Sequence, residues 1–470
     1  MVVGEISEAR DLVVIGGGPG GYTAAIRAAQ HDVDVTLVEK SSYGGTCLNH
    51  GCIPSKALIS VTGVAERVSD MEEMGVYADP EVDVGEMYDW KDGIVDRMSR
   101  SVEKLCKANQ VDLIQGEAVF EGENQVRVEE KDGNTNLEFG DAIVATGSRA
   151  IEIDGFSYSD PPVMDAKQAL DIDGAPDSLV IVGAGYIGME MAGVFAKLNV
   201  DVTVVEALDG VLPGYSDDLS DPVKSRLESQ GVGFHFGESA EEWRESADGI
   251  EVVTKEMESG DENVYGCEKV LVAVGREPVF PDGLEIAGVE INDDGFLVTD
   301  RRTQTTNPDV YGVGDVAGEP LLAHKAGMEG RVAAGVVAGQ ADAVDYQAVP
   351  SAVFTDPEIA TVGLTRGEAE NEGFEPVVGE FPFRASGRAL TLDETDGFVR
   401  LIAAESGFIL GGEVVGPEAS ELIAEIGFGI EMGATLEDIA ATIHTHPTLS
   451  ESVMEAAENA ADEAIHTLNR

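Results

Sequence analysis

Residues 12–39 read LVVIGGGPGGYTAAIRAAQHDVDVTLVE, and residues 179–206 read LVIVGAGYIGMEMAGVFAKLNVDVTVVE. The two align without a gap at an offset of 167. A repeat of this kind governs the fold reading before any single motif does. Each copy opens with a short apolar run, the pattern of a strand buried on both faces in a parallel sheet. Each passes through a glycine-rich turn into an alanine-rich helical stretch and closes on a second strand ending in glutamate. The chain is therefore predicted to be α/β, with a βαβ unit used twice.

The first turn carries Gly16-x-Gly18-x-x-Gly21. Gly16 permits the tight turn, Gly18 lets the backbone approach a pyrophosphate, and Gly21 allows the helix to pack close to the strand. The phosphate then meets the positive end of a helix. Glu39, 23 residues on, suits a pair of ribose hydroxyls. The second turn repeats this with Gly183, Gly185, Gly188 and Glu206. Two such sites imply two dinucleotides on two Rossmann-like domains. Glu206 repels a 2′-phosphate, and no Arg or Lys lies in residues 207–214, so the second site favours NAD over NADP. Late strands ending in glycine follow each unit, at 142–149 (AIVATGSR) and 270–276 (VLVAVGR), with PDVYGVGDVAG at 308–318. After about residue 349 the pattern becomes α+β: strands near 398–403 and 412–415, then helices predicted over 420–432 and 450–469.

Four cysteines are too few for a disulfide scaffold. Cys47 and Cys52 lie in GGTCLNHGCIPSK, residues 44–56. Pro54 fits the first turn of a helix, which would put both sulfurs at or just before a helix N-terminus. That position favours a thiolate, and Lys56 adds a cation. A Cys2His2 zinc site with His444 and His446 is the weaker alternative, because two nucleotide motifs make redox chemistry more economical; no metal site is expected. Cys106 and Cys267 have no nearby thiol and are expected to be structural.

The disulfide segment, with ATGS at 145–148, GAGYIGMEMA at 183–192, AVGREP at 273–278, YGVGD at 311–315, VFTDPEIATVGLT at 353–365 and HTHPTLSE at 444–451, resembles the flavoprotein disulfide reductases (pyridine nucleotide-disulfide oxidoreductases) over essentially the whole chain. The resemblance implies FAD and NAD as cofactors. It implies a discontinuous FAD-binding domain (1–150 and 278–348), an NAD-binding domain (151–277) and a C-terminal α+β dimerisation domain (349–470). It implies that Cys52 lies against the flavin, that Cys47 exchanges with substrate, and that His446, oriented by Glu451, is the acid–base catalyst. In this family the histidine completes the partner subunit's site, so a homodimer is expected. Cofactor contacts are implied for Gly16, Gly18, Gly21, Glu39, Gly45, Thr46, Lys56, Ala118, Thr146, Gly147, Asp315 and Ala323, and for Gly183, Gly185, Gly188, Glu190, Glu206 and Gly275. Lys56 and Glu190 are implied to form an ion pair near the flavin ring. Two positions depart from the family: His50 stands where relatives carry an apolar residue, and Ala118 where many carry glycine. A protonated His50 would lower a cysteine pKa further.

Within the family, the branch that oxidises dihydrolipoamide with NAD⁺ fits best. No cysteine follows Cys267, so the C-terminal pair of mercuric reductases is missing, and Glu206 disfavours the NADPH-using glutathione type. A docking subunit of a 2-oxoacid dehydrogenase-like assembly is a second reading. The substrate would be free dihydrolipoamide or a lipoyl-bearing protein.

Charge narrows the setting. Acidic residues number 89 against 30 basic ones, a formal net charge of −59. Nucleic acid needs a basic footprint and anionic membranes repel this surface. The charge is spread along the chain, so self-repulsion opposes compaction in dilute buffer. At molar salt the Debye length falls to about 3 Å and screens it, which points to a halophilic setting. No apolar run approaches the roughly 20 residues of a membrane span. The acidic N-terminus does not read as a signal peptide, and a cytoplasmic location is expected.

Overall fold

The repeat builds two parallel sheets in the computed structural model, which describes residues 7–247 and 249–469. Residues 1–6, holding half of the acidic N-terminal stretch, and Arg470, at the end of the expected dimerisation range, lie outside the described residues. The first sheet is ordered Asp112–Gln115, Val35–Glu39, Ser7–Ile15, Gly133–Val144, Gln125–Glu130, Glu117–Gly122, and Val310–Gly312 also pairs with Gly133–Val144. Its continuous apolar run serves two faces. Leu12 and Val14 pack with the alanines of helix Pro19–Ala29 and with Val332 of helix Ala323–Val337. Val13 and Ile15 pack against Phe120, Val126 and Leu284 on the other side. All four are at most 3% exposed, which is why this strand cannot alternate polar and apolar residues.

The second sheet repeats the arrangement in the order Gly233–Phe236, Asp201–Glu206, Ser178–Val182, Lys269–Val272, Val163–Met164. Leu179 and Ile181 face helix Tyr186–Lys197, while Val180 and Val182 face a three-stranded antiparallel sheet over Glu238–Cys267. A short ribbon pairs Ser148–Ala150 with Arg276–Pro278 where the chain passes between the two units. The third sheet is antiparallel, ordered Ser351–Val353, Glu358–Gly363, Ile409–Gly416, Phe398–Ala403, Val377–Pro382. Helices Ala419–Glu431 and Glu451–Ala460 cover it. The latter lies so close that a Cβ on Gly379 would stand 2.1 Å from the Ala456 carbonyl oxygen.

Two expectations need correction. The last helix ends at Ala460 rather than near 469: Asp462 takes a left-handed φ of +59°, and the tail folds back so that the Asn459 amide donates to the Leu468 carbonyl. The cysteine segment is two helices, Gly45–His50 and Cys52–Ser69, broken at Gly51. A Cβ there would crowd the Thr46 carbonyl at 3.1 Å. The helix-like segment around Cys106 spans Val84–Ala108, and Asp83 caps it by accepting from the Glu86 amide.

Candidate active site

Cys47 sits in the first of the two short-spaced helices and Cys52 is the first residue of the second. Only Cys52 therefore occupies the helix N-terminus expected for both. Both thiols are free. Cys47 donates a hydrogen bond to Cys52, and this bond, aided by the Lys56 charge, lowers the Cys52 pKa from its usual 9 to about 7 against the opposing effect of burial. The same bond, with burial, pushes the Cys47 thiol well up. The pair is polarised in one direction: Cys52 is the thiolate, Cys47 the proton holder. His50 does not assist as a cation. Burial first, then the Lys167 charge, lower its pKa, so the ring is neutral at neutral pH.

Lys56, one turn beyond Cys52, donates to both carboxylate oxygens of Glu190 at 2.9 and 2.8 Å. Glu190 is 5% exposed and also accepts from the Phe354 amide at 3.0 Å. The lysine ammonium stands 4.4 Å from the Phe354 ring centroid. Residues from the cysteine helix, the second βαβ unit and the third sheet thus meet at one ion pair. Phe354 lies inside the quoted segment 353–365, whose resemblance concerns dimerisation and not this contact.

The glycines fit a pyrophosphate. A Cβ on Gly16 would meet the Ala145 carbonyl oxygen at 2.3 Å, and one on Gly21 the Gly16 carbonyl oxygen at 1.8 Å. At Gly18 the nearest neighbour is the Gly45 Cα, 3.8 Å away, and no side chain caps the helix that Gly18 opens. Its first-turn N–H groups therefore have no side-chain acceptor, as an anion requires. The second turn matches: a Cβ on Gly183 would meet the Ala273 carbonyl oxygen at 2.6 Å and one on Gly188 the Gly183 carbonyl oxygen at 2.1 Å, while one on Gly185 would have open space. Glu39 accepts from the Gly17 amide at 2.6 Å and Glu206 from the Ala184 amide at 2.7 Å. Each carboxylate keeps acceptor capacity for ribose hydroxyls.

Other expected contacts lie around the first turn. Thr46 is exposed, beside Gly45, at the start of the first cysteine helix. Thr146 donates to the Val279 carbonyl, Gly147 has a φ of +71°, and Gly275 accepts from the Ile151 amide across the ribbon. Asp315 accepts from the Ser148 hydroxyl. Ser148 in turn receives the Arg276 guanidinium at 2.8 Å on its hydroxyl and 2.7 Å on its carbonyl. Ser148 and Arg276 were not singled out, though both lie inside the quoted motifs. Ala118 is buried in strand Glu117–Gly122, and Ala323 opens helix Ala323–Val337.

His446 donates through its Nδ1–H to Glu451 at 2.9 Å, and the other Glu451 oxygen accepts from the Thr448 amide at 2.8 Å. Burial pushes the Glu451 carboxyl up, but the Thr448 amide and the His446 ring outweigh it and hold it below its usual value. The His446 side chain is 80% exposed. Among the described contacts of one chain, it touches neither cysteine. His444 is instead tied to Glu425 at 2.8 Å and to the Thr442 carbonyl, and no group of three His, Cys, Asp or Glu side chains arranged for a metal occurs among the described residues. In the same domain Ile443 (96%), Phe428 (66%) and Met432 (67%) are exposed.

The pyridine nucleotide-disulphide oxidoreductase family matches residues 10–330, and its dimerisation domain matches residues 349–457. The dihydrolipoyl dehydrogenase of Halobacterium salinarum is 60% identical, over the whole of both chains, and that of Geobacillus stearothermophilus is 43% identical over the whole of both. Among solved structures, LpdA from Mycobacterium tuberculosis superposes with a TM-score of 0.88 at 27% identity, covering 95% of this chain and 99% of its own. A doubled glycine cradle, a polarised cysteine pair between the two copies, and these matches at both ends of the chain lead to one conclusion: the chain belongs to the pyridine nucleotide-disulphide oxidoreductase family.

Proposed function

We propose that this chain is a homodimeric, cytoplasmic enzyme that oxidises dihydrolipoamide, free or protein-borne, with NAD⁺. The observation that carries this reading is the Cys47–Cys52 hydrogen bond, which leaves Cys52 a thiolate near neutral pH beside Lys56 and the first glycine cradle. We assign residues 1–150 with 278–348 to FAD, 151–277 to NAD, and 349–470 to the dimer contact. Gly16, Gly18, Gly21, Glu39, Gly45, Thr46, Ala118, Thr146, Gly147, Asp315 and Ala323 would hold FAD. Gly183, Gly185, Gly188, Glu206 and Gly275 would hold NAD. FAD supplies a two-electron acceptor that can return its electrons to NAD⁺ as hydride.

The chain's own residues carry the sulfur chemistry. In the disulfide state, a substrate thiolate attacks Cys47 Sγ, the S–S bond breaks, and Cys52 leaves as a thiolate stabilised by its helix N-terminus and Lys56. The proton from that substrate thiol passes to His446 of the partner subunit, whose imidazolium Glu451 orients and stabilises. The second substrate thiol attacks the substrate sulfur of the mixed disulfide, closing the lipoyl ring, and its proton passes to the departing Cys47, which is released as a thiol. The exposure of His446 within one chain supports its use across a dimer. Glu206 supports NAD over NADP.

A turnover assay in molar KCl tests this reading. Dihydrolipoamide with NAD⁺ should be turned over at least tenfold faster than either glutathione as reductant or NADP⁺ as acceptor, a margin of ~1.4 kcal/mol. Equal rates with glutathione would reassign the substrate.

A further inference from the structure

We propose that Lys325 and Glu329 form a clamp that sets the position of Asp315 for the flavin. The inference rests on the FAD reading above and adds two positioning residues to it. Both side chains are buried, Lys325 5% and Glu329 6% exposed, and they pair at 3.0 Å on one face of helix Ala323–Val337. Neither needs the other merely to be solvated, since both could have reached water from a surface helix. Instead each is joined to the loop that carries Asp315. Glu329 Oε2 accepts from the Gly314 amide at 2.7 Å, and Lys325 Nζ donates to the Gly318 carbonyl at 2.9 Å.

The ion pair thus closes a ring that grips both ends of residues 314–318. Gly314 (φ +75°) and Gly318 (φ +131°) adopt backbones that favour glycine, so the intervening turn has little stiffness of its own. The Tyr346 hydroxyl lies beside Glu329, and burial, joined by the Glu329 charge, raises the tyrosine's pKa. From the opposite side, Arg276 fixes Ser148, and Ser148 donates to Asp315. Asp315 is held between the ring and this second brace. In a chain with 89 acidic and only 30 basic residues, a lysine committed to a buried site away from the thiol pair has a specific task. A buried pair keeps its geometry because parting the charges inside the protein is costly.

The test uses the full chain, purified in molar KCl, deflavinated and titrated with FAD. Three variants are compared with the wild type: Glu329→Gln, Lys325→Met, and the two combined. Glu329→Gln retains an acceptor for the Gly314 amide but strands the lysine. The combined variant removes both charges and keeps the volume. FAD affinity is expected to fall about tenfold or more in each single variant and to recover in part in the pair. The bound flavin's visible spectrum and fluorescence should shift with it, while the melting point of the deflavinated chain falls in each single variant, which strands a buried charge, and recovers in the pair. Unchanged affinity and spectrum in all three variants would overturn the clamp, even if their melting points fell. A wild type that bound no FAD would instead overturn the flavin reading itself.

Discussion

The two glycine turns share a backbone and differ in what stands over them. At the first, the Gly44 amide donates to the Gly17 carbonyl at 2.8 Å, and a Cβ on Gly45 would come 2.5 Å from the Gly18 Cα. The cysteine helix therefore closes over the cradle. Behind it, helix Ala323–Val337 packs so near that a Cβ on Gly330 would touch the Gly20 carbonyl at 2.3 Å. At the second turn nothing lies within 4 Å of a Cβ on Gly185, and Tyr186 beside it is 46% exposed. A covered cradle suits a cofactor that stays; an open one suits a cofactor that comes and goes. One supersecondary unit is thus covered in one copy and open in the other because of its neighbours, not its own residues.

The strongest challenge to that division removes the relay between the turns. Cys47→Ser and Cys52→Ser should each lower dihydrolipoamide turnover about 10⁴-fold or more while leaving the flavin bound; retained turnover would break the relay. His446→Gln should cost about 10²–10⁴-fold in kcat, and mixed dimers with a Cys47→Ser chain should regain activity if the sites are shared. Gly185→Val has room in the folded chain, so the protein should remain yellow, with its KM for NAD⁺ raised about tenfold or more; loss of colour would erase the contrast between the turns. Lys56→Met should raise the Cys52 pKa from about 7 towards 9, because the lysine charge lowers it. At pH 7 the thiolate fraction then falls, and it returns as pH rises; an unshifted thiolate titration would contradict the electrostatic account. The smallest effect concerns both turns equally: with a net charge of −59, the melting point should rise steadily from dilute buffer to molar KCl.

Much of this was legible in the residues. The repeat fixed both parallel sheets because burial on two faces leaves continuous apolar runs, and Gly16, Gly21, Gly183 and Gly188 were legible because none leaves room for a Cβ beside a neighbouring carbonyl. What stayed hidden was tertiary. Phe354 reaches the Lys56–Glu190 pair from another domain, and no local pattern announces such a meeting. The break at Gly51 is a non-helical backbone (φ −146°, ψ −111°) where a Cβ would crowd the Thr46 carbonyl. The tail after Ala460 reads as helical by composition, yet Asn459 and Glu455 draw it back through hydrogen bonds to Leu468 and His466. His50 looked like a cation beside the thiols; its burial and the nearby Lys167 make it neutral. The halophilic reading from charge accords with 60% identity to a Halobacterium salinarum protein.

The central claim is that electrons pass from the thiol pair, through a cofactor kept in the covered cradle, to one that exchanges at the open cradle. Anaerobic mixing of the purified yellow chain with dihydrolipoamide in molar KCl tests it most directly, with NAD⁺ added afterwards. The account predicts that the flavin absorbance changes on mixing and recovers on adding NAD⁺, with an equivalent of NADH formed. A colourless chain, or a flavin spectrum that neither reagent alters, would contradict it.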